Sequence, residues 1–197
     1  MKRLFLCLFF CLAAPFPAAA DDPAPAATIR IHSIKADFQQ EKHLKILTRP
    51  ILSTGTFSFQ APQSLRWEYH KPVASLLLMH DGKIRKFIER NGQLTEDKGM
   101  PLDSMQIVLA EITNWLDGRF TDNAMFTVSF PDPKTVLLTP KEQGIAALIS
   151  TIELRVGDQP GLLDAVTIFE GPDSFTRLTF SNRALNQELP ASRFTDK

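Results

Sequence analysis

A search for chemistry begins with the residue types that could perform it. The histidines are His32, His43, His70 and His80. None lies in an H-E-x-x-H arrangement, and none pairs with another at helical or tight-strand spacing, so they offer no ready metal or acid–base pair. His80 stands beside Asp81 at an expected turn, where a base or a metal ligand could be read, but a neighbouring aspartate alone does not make an active site. Carboxylates recur at Glu68, Asp81, Glu89, Glu96, Asp97, Asp103 and Glu111. No spacing singles out a pair of the kind that hydrolyses glycosides. There is no G-x-S-x-G elbow. The nine glycines are scattered and form no phosphate-cradling loop. The sequence therefore predicts no catalytic residues, no metal site and no cofactor.

Both cysteines, Cys7 and Cys11, fall in an N-terminal stretch that reads as an export signal. Lys2 and Arg3 are its basic start, Leu4 to Ala14 its apolar run, and Ala18, Ala19 and Ala20 its small-residue cleavage site. The apolar run is too short for a membrane span, which needs about 20 residues. A lipid anchor at Cys11 would want a small residue before it, and Phe10 stands there. The expectation is a signal peptide over 1–20, a flexible lead-in over 21–33, and one domain over 34–197. That domain is expected in the periplasm, without cysteine or a transmembrane segment, and stabilised by an ordinary core. The full chain has 22 basic and 22 acidic residues. Loss of Lys2 and Arg3 leaves a slight acidic excess, which argues against a nucleic-acid partner.

The elements that must position any site are mostly strands. TGTFSFQ (54–60) and LRWEY (65–69) alternate with period two. SLLLMH (75–80) and KIRKFIE (83–89) flank Asp81-Gly82, a strong hairpin signal, and Asn91-Gly92 marks the next turn. Residues 34–89 thus read as an antiparallel meander, with the first strand continuing through Leu44 and Ile46. SMQIVLAEITNWLDG (104–118) spaces its apolar residues by three and four, as an amphipathic helix does. Strands resume at AMFTVSF (124–130) and TVLLTP (135–140). GIAALISTIELRV (144–156) opens as a helical turn or as a strand. AVTIFE and SFTRLTF form a last hairpin around Gly171-Pro172, and the polar tail offers Leu185, Leu189 and Phe194 as docking points. Eight or more antiparallel strands must hide their apolar faces against another sheet, in a barrel, or under the helix. The fifteen phenylalanines suit an aromatic interior, four of them (Phe5, Phe9, Phe10 and Phe16) being in the leader.

The order of Phe38-Gln39-Gln40-Glu41-Lys42, Ser53-Thr54-Gly55-Thr56-Phe57-Ser58-Phe59, Pro62-Gln63-Ser64-Leu65-Arg66-Trp67-Glu68-Tyr69, Pro72 and Asp81-Gly82 resembles the periplasmic outer-membrane lipoprotein carriers of the LolA type. Leu138-Thr139-Pro140-Lys141 extends the resemblance. It implies a mainly β fold with a few helices, in which a strongly curved antiparallel sheet forms an incomplete barrel under a helical lid. It implies a non-enzymatic, monomeric carrier that takes an acylated lipoprotein or lipid from an inner-membrane transporter complex to an outer-membrane receptor. Phe57, Phe59, Leu65, Trp67, Tyr69, Leu77, Met79, Phe126, Val128 and Phe130 are then candidate cavity or core residues. Met105, Val108, Leu109, Ile112 and Trp115 are the candidate lid face.

Two departures stand out. The helix that usually precedes the Phe-x-Gln strand has no counterpart, since TIRIHSIK carries no good helical stripe. The basic residue that helps to hold the family's lid is replaced by Ala61, and whether Arg66 compensates is open. A sensor module of the same fold is the rival reading, and it would expect a tether or partner domain. A carrier for a glycolipid or pigment lipid is another.

Overall fold

The computed structural model describes residues 31–98, 107, 108, 111, 114, 115, 123–159 and 162–197. They build one antiparallel sheet of eleven strands: β1 (Ser33–His43), β2 (Ile51–Gln60), β3 (Ser64–Lys71), β4 (Ser75–His80), β5 (Lys83–Arg90), β6 (Gln93–Glu96), β7 (Phe126–Asp132), β8 (Thr135–Pro140), β9 (Thr151–Val156), β10 (Leu163–Gly171) and β11 (Ser174–Leu185). Their order is β6-β5-β4-β3-β2-β1-β11-β10-β9-β8-β7, so β6 and β7 are the edges and β1 pairs with β11 at the centre. Short turns dictate this meander, because they leave no room for crossover helices. Asp81, Gly82, Asn91 and Gly92 take the positive φ values that two-residue hairpin turns demand. The ambiguous stretch resolves as a short helix, α1 (Gln143–Ala146), followed by β9. A second, α2 (Ser192–Thr195), ends the chain. Residues 107, 108, 111, 114 and 115 are helical, and the rest of the expected 104–118 helix lies outside the described residues.

Alternation places the core on one face. Ile34, Ala36 and Phe38 of β1, Phe57 and Phe59 of β2, and Leu65 and Trp67 of β3 share a buried cluster with residues of β8, β9, β10 and β11. Val108 and Trp115 complete it from the helical side. Three strand steps separate β3 from β11, about 14 Å in a flat sheet. The Trp67 and Phe180 ring centroids are nevertheless 6.4 Å apart.

A smaller cluster, Leu76, Leu78 and Phe87, occupies the opposite face. The run SLLLMH shows no alternation because both of its faces are covered. The C-terminal segment lies over the outer side of β3 and β4. Phe194 of α2 is buried and stacks on His80, with centroids 6.5 Å apart.

Several expectations need correction. β1 ends at His43, and Ile46 is 87 % exposed, because Leu44–Leu47 turn away before Pro50 instead of continuing the strand. The lead-in does not extend to residue 33: Ile31 and Ser33 are buried, and the His32 N–H donates to the Asn186 side chain at 2.7 Å. The described part of the domain therefore starts no later than Ile31. The leader over 1–20 lies outside the described residues.

Candidate lipid-binding cavity

The inner apolar face of the sheet holds a cavity lined by Ile34, Phe57, Trp67, Val108, Trp115, Leu163, Val166, Leu178, Phe180 and Arg183. β1, β2, β3, β10 and β11 each contribute, and Val108 and Trp115 meet them from the helical side. Its aromatic wall is a network: Phe38 contacts Trp67 at 4.8 Å and Tyr69 at 5.0 Å, and Phe57 contacts Trp67 at 5.2 Å. Such offset and edge contacts fix ring orientations beyond simple area burial. The cavity is nearly filled. Its free volume is about 20 Å³, room for little more than one water.

Among the expected site residues, Phe57, Trp67, Val108 and Trp115 line the cavity. Phe59, Leu65 and Phe126 are buried in the surrounding cluster, and Tyr69, Leu77, Met79 and Val128 are half-buried against it. Phe130 departs from expectation and is 55 % exposed. It sits on edge strand β7, where the pairing with β8 shifts between Ser129 and Asp132, so the alternation that buries Phe126 does not carry through. Met105, Leu109 and Ile112 lie outside the described residues.

The sequence reading missed Ile34, Leu163, Val166, Leu178, Phe180 and Arg183. Leu178 and Phe180 were within reach of the alternation in SFTRLTF. Arg183 was not. Lys35 pairs with Ala184 and Asp37 with Ser181, so Asn182 and Arg183 together stand opposite Ala36. This bulge, with Asn182 at φ 50°, resets the alternation and brings Arg183 to the cavity side.

The helical residues are tied to the sheet by a polar clasp. Buried Glu111 accepts hydrogen bonds from the side-chain amides of Asn114 and Asn123. The Asn123 side-chain oxygen in turn accepts the N–H groups of Met125 and Phe126, at 2.9 Å each, at the entry to β7. Lys141 donates to the Asn123 carbonyl at 2.8 Å. Paired in this way, a buried carboxylate avoids most of the cost of lost hydration.

Arg66 does not replace the basic residue missing at Ala61. It points to the opposite face, where it binds Glu68 at 2.8 Å and the carbonyls of Arg193 and Asp196. His80 is likewise engaged in packing, accepting or donating at Ser64 Oγ 2.8 Å away. Among the described residues no group of three or more His, Cys, Asp or Glu side chains could hold a metal. No helix among them is long and apolar enough to cross a membrane.

The sequence model of the family described as outer membrane lipoprotein carrier protein LolA matches residues 30–197. An outer-membrane lipoprotein carrier protein of Dechloromonas aromatica is 29 % identical over 163 residues, covering 82 % of this chain and 76 % of that one. One from Cupriavidus pinatubonensis is 28 % identical over 185 residues, covering 90 % and 82 %. A solved LolA superfamily protein from Nitrosomonas europaea is similar at 11 % identity and a TM-score of 0.43, covering 86 % of this chain and 92 % of that one. That match spans every described residue, and the chain belongs to the LolA outer-membrane lipoprotein carrier family, whose members carry cargo and do not catalyse.

Proposed function

We propose that this chain is a periplasmic carrier that shields the acyl chains of a lipoprotein or lipid and ferries them from the inner to the outer membrane. In this reading the leader over 1–20 is removed on export, and the remainder works as one untethered, monomeric domain. An inner-membrane transporter complex loads it, supplying the energy, and an outer-membrane receptor unloads it.

The observation that carries the reading is the aromatic cavity between the sheet and Trp115. Each methylene is worth about 0.8 kcal/mol on burial, so an acyl chain of about 14 carbons costs on the order of 10 kcal/mol to hold in water. A carrier must offset that with apolar cover. The proximity of Trp67 to Phe180 supports a sheet curved into an incomplete barrel, with the helical residues as its lid. Ligand pockets usually begin at about 300 Å³. A cavity of about 20 Å³ therefore represents a closed state, and loading requires the helical side to withdraw.

Titration with a fluorescent fatty acid tests this. Saturable binding, competed by an unlabelled fatty acid, is the expected result. Failure to bind any acyl ligand would remove the reading.

A further inference from the structure

Among the described lining residues, the polar side-chain groups are donors: the Arg183 guanidinium and the indoles of Trp67 and Trp115. Arg183 is the charged residue among the described lining residues, and its side chain is 27 % exposed, which places it at the rim. Its Nη1 donates to the Leu163 carbonyl at 3.0 Å and to the Asp164 carboxylate at 2.6 Å. Two strand irregularities create this arrangement. The bulge opposite Ala36 brings Arg183 to the cavity side, and a register shift between Leu163 and Ala165 sets Asp164 beside it. Deeper in, Trp67 and Trp115 are fully buried, yet their indole N–H groups find no acceptor. A buried donor without a partner costs about 1–3 kcal/mol and calls for an explanation. Both tryptophans line the same cavity as Arg183, so its described lining combines two indole donors without acceptors and a guanidinium shared with Asp164.

We propose that the cavity recognises the oxygen-bearing end of its acyl ligand, an ester or a carboxylate, through Arg183 at the rim and the indole N–H groups of Trp67 and Trp115 within. This deepens the carrier reading and rests on it. Acyl esters and carboxylates offer acceptors and no donors, and so complement the set. A carboxylate gains most, because charge-assisted bonds to a guanidinium are about twice as strong as neutral ones. Asp164 holds Arg183 in place and competes with an anionic ligand for it.

The test compares laurate, methyl laurate and dodecylammonium, which share an alkyl tail, by displacement of the neutral dye N-phenylnaphthylamine from the intact protein. Laurate should bind at least about tenfold more tightly than dodecylammonium, with methyl laurate between them. Arg183→Met should weaken laurate most and methyl laurate less, so that the difference between the two largely disappears. Arg183→Lys should restore part of the difference. Trp115→Phe, which keeps an aromatic ring and removes the N–H, should weaken laurate and methyl laurate relative to dodecylammonium, whose change reports the altered packing alone. If Arg183 only pins the strand irregularity, Arg183→Met will shift all three ligands equally, and the proposal fails. Equal binding of the three by the unaltered protein also overturns it while leaving the carrier reading intact. No binding of any of them overturns both.

Discussion

Arg66 in β3 donates to the main-chain carbonyl of Asp196 at 2.7 Å, tying the third strand to the end of the chain. The same guanidinium binds the Arg193 carbonyl at 3.2 Å, while Arg193 donates to Ser58 Oγ at 2.9 Å. This strap seats Phe194 over the outer side of β3 and β4. Phe194→Ala should cost about 3–5 kcal/mol, the usual cost of removing a buried phenyl ring. Arg66→Ala should cost about 1.5–3 kcal/mol, the usual worth of hydrogen bonds to a charged group. Urea unfolding monitored by circular dichroism reads both. Unchanged midpoints would mean that the tail is not part of the folded core.

Gly55 is needed because β2, Phe38 and β3 meet there. A Cβ on Gly55 would lie 1.9 Å from the Glu68 carbonyl oxygen and 2.7 Å from the Phe38 ring. Neither the strand backbone nor a packed ring can yield cheaply. Gly55→Ala should therefore destabilise by about 2 kcal/mol or more, or prevent folding. Gly144→Ala, where nothing lies within 4 Å, serves as the tolerated control in the same thermal melts.

Trp115 fills space that cargo must enter. Trp115→Ala should lower stability by about 3–5 kcal/mol. It should also speed uptake of a fluorescent fatty acid, since less of the closed state must be displaced. Stopped-flow mixing reads the rate. Slower uptake by a folded Trp115→Ala protein would argue that Trp115 guides the ligand in and does not block it.

Acid should weaken the β7–β8 turn region. The Thr135 hydroxyl and the Lys134 backbone N–H hold the Asp132 carboxyl below the ordinary carboxylate range. The hydrogen bond and charge of Lys134 do the same for Asp158, and Asp158 in turn raises Lys134. The unfolded chain then binds protons more readily than the folded one in that range. Stability is fully present above the ordinary carboxylate range and is lost as the pH falls through it. On the alkaline side the Lys134 contribution is lost as the pH rises through its raised value. These groups lie at the surface, so the effect is small and screened by salt. Asp158→Asn should flatten the acid limb of a plot of unfolding midpoint against pH. An unaltered slope at low salt would remove Asp158 as a contributor.

Much of the sheet was legible because its strands obey period two and its turns carry Asp-Gly and Asn-Gly. β3 is the clearest case: Leu65 and Trp67 alternate inward while Arg66 and Glu68 face out. Legibility ended where a second cover or an irregularity intervened. Leu76 and Leu78 are buried on the outer face with Phe87 of β5 and Leu94 of β6, a second apolar face that the pattern of β4 alone does not reveal. Arg183 would face outward in a regular strand, and only pairing with β1 reveals the bulge that brings it in. Phe130 reads as interior from its alternation but lies on an edge strand with a broken register. Partner strands, not the strand itself, decided these three positions.

Native mass spectrometry of the protein isolated from its own periplasm, without detergent, tests the central claim most directly. A bound acylated lipid or lipoprotein, displaced by excess fatty acid, is the predicted result. Protein that emerges free of lipid, and that also fails to take up a fluorescent fatty acid, would contradict it.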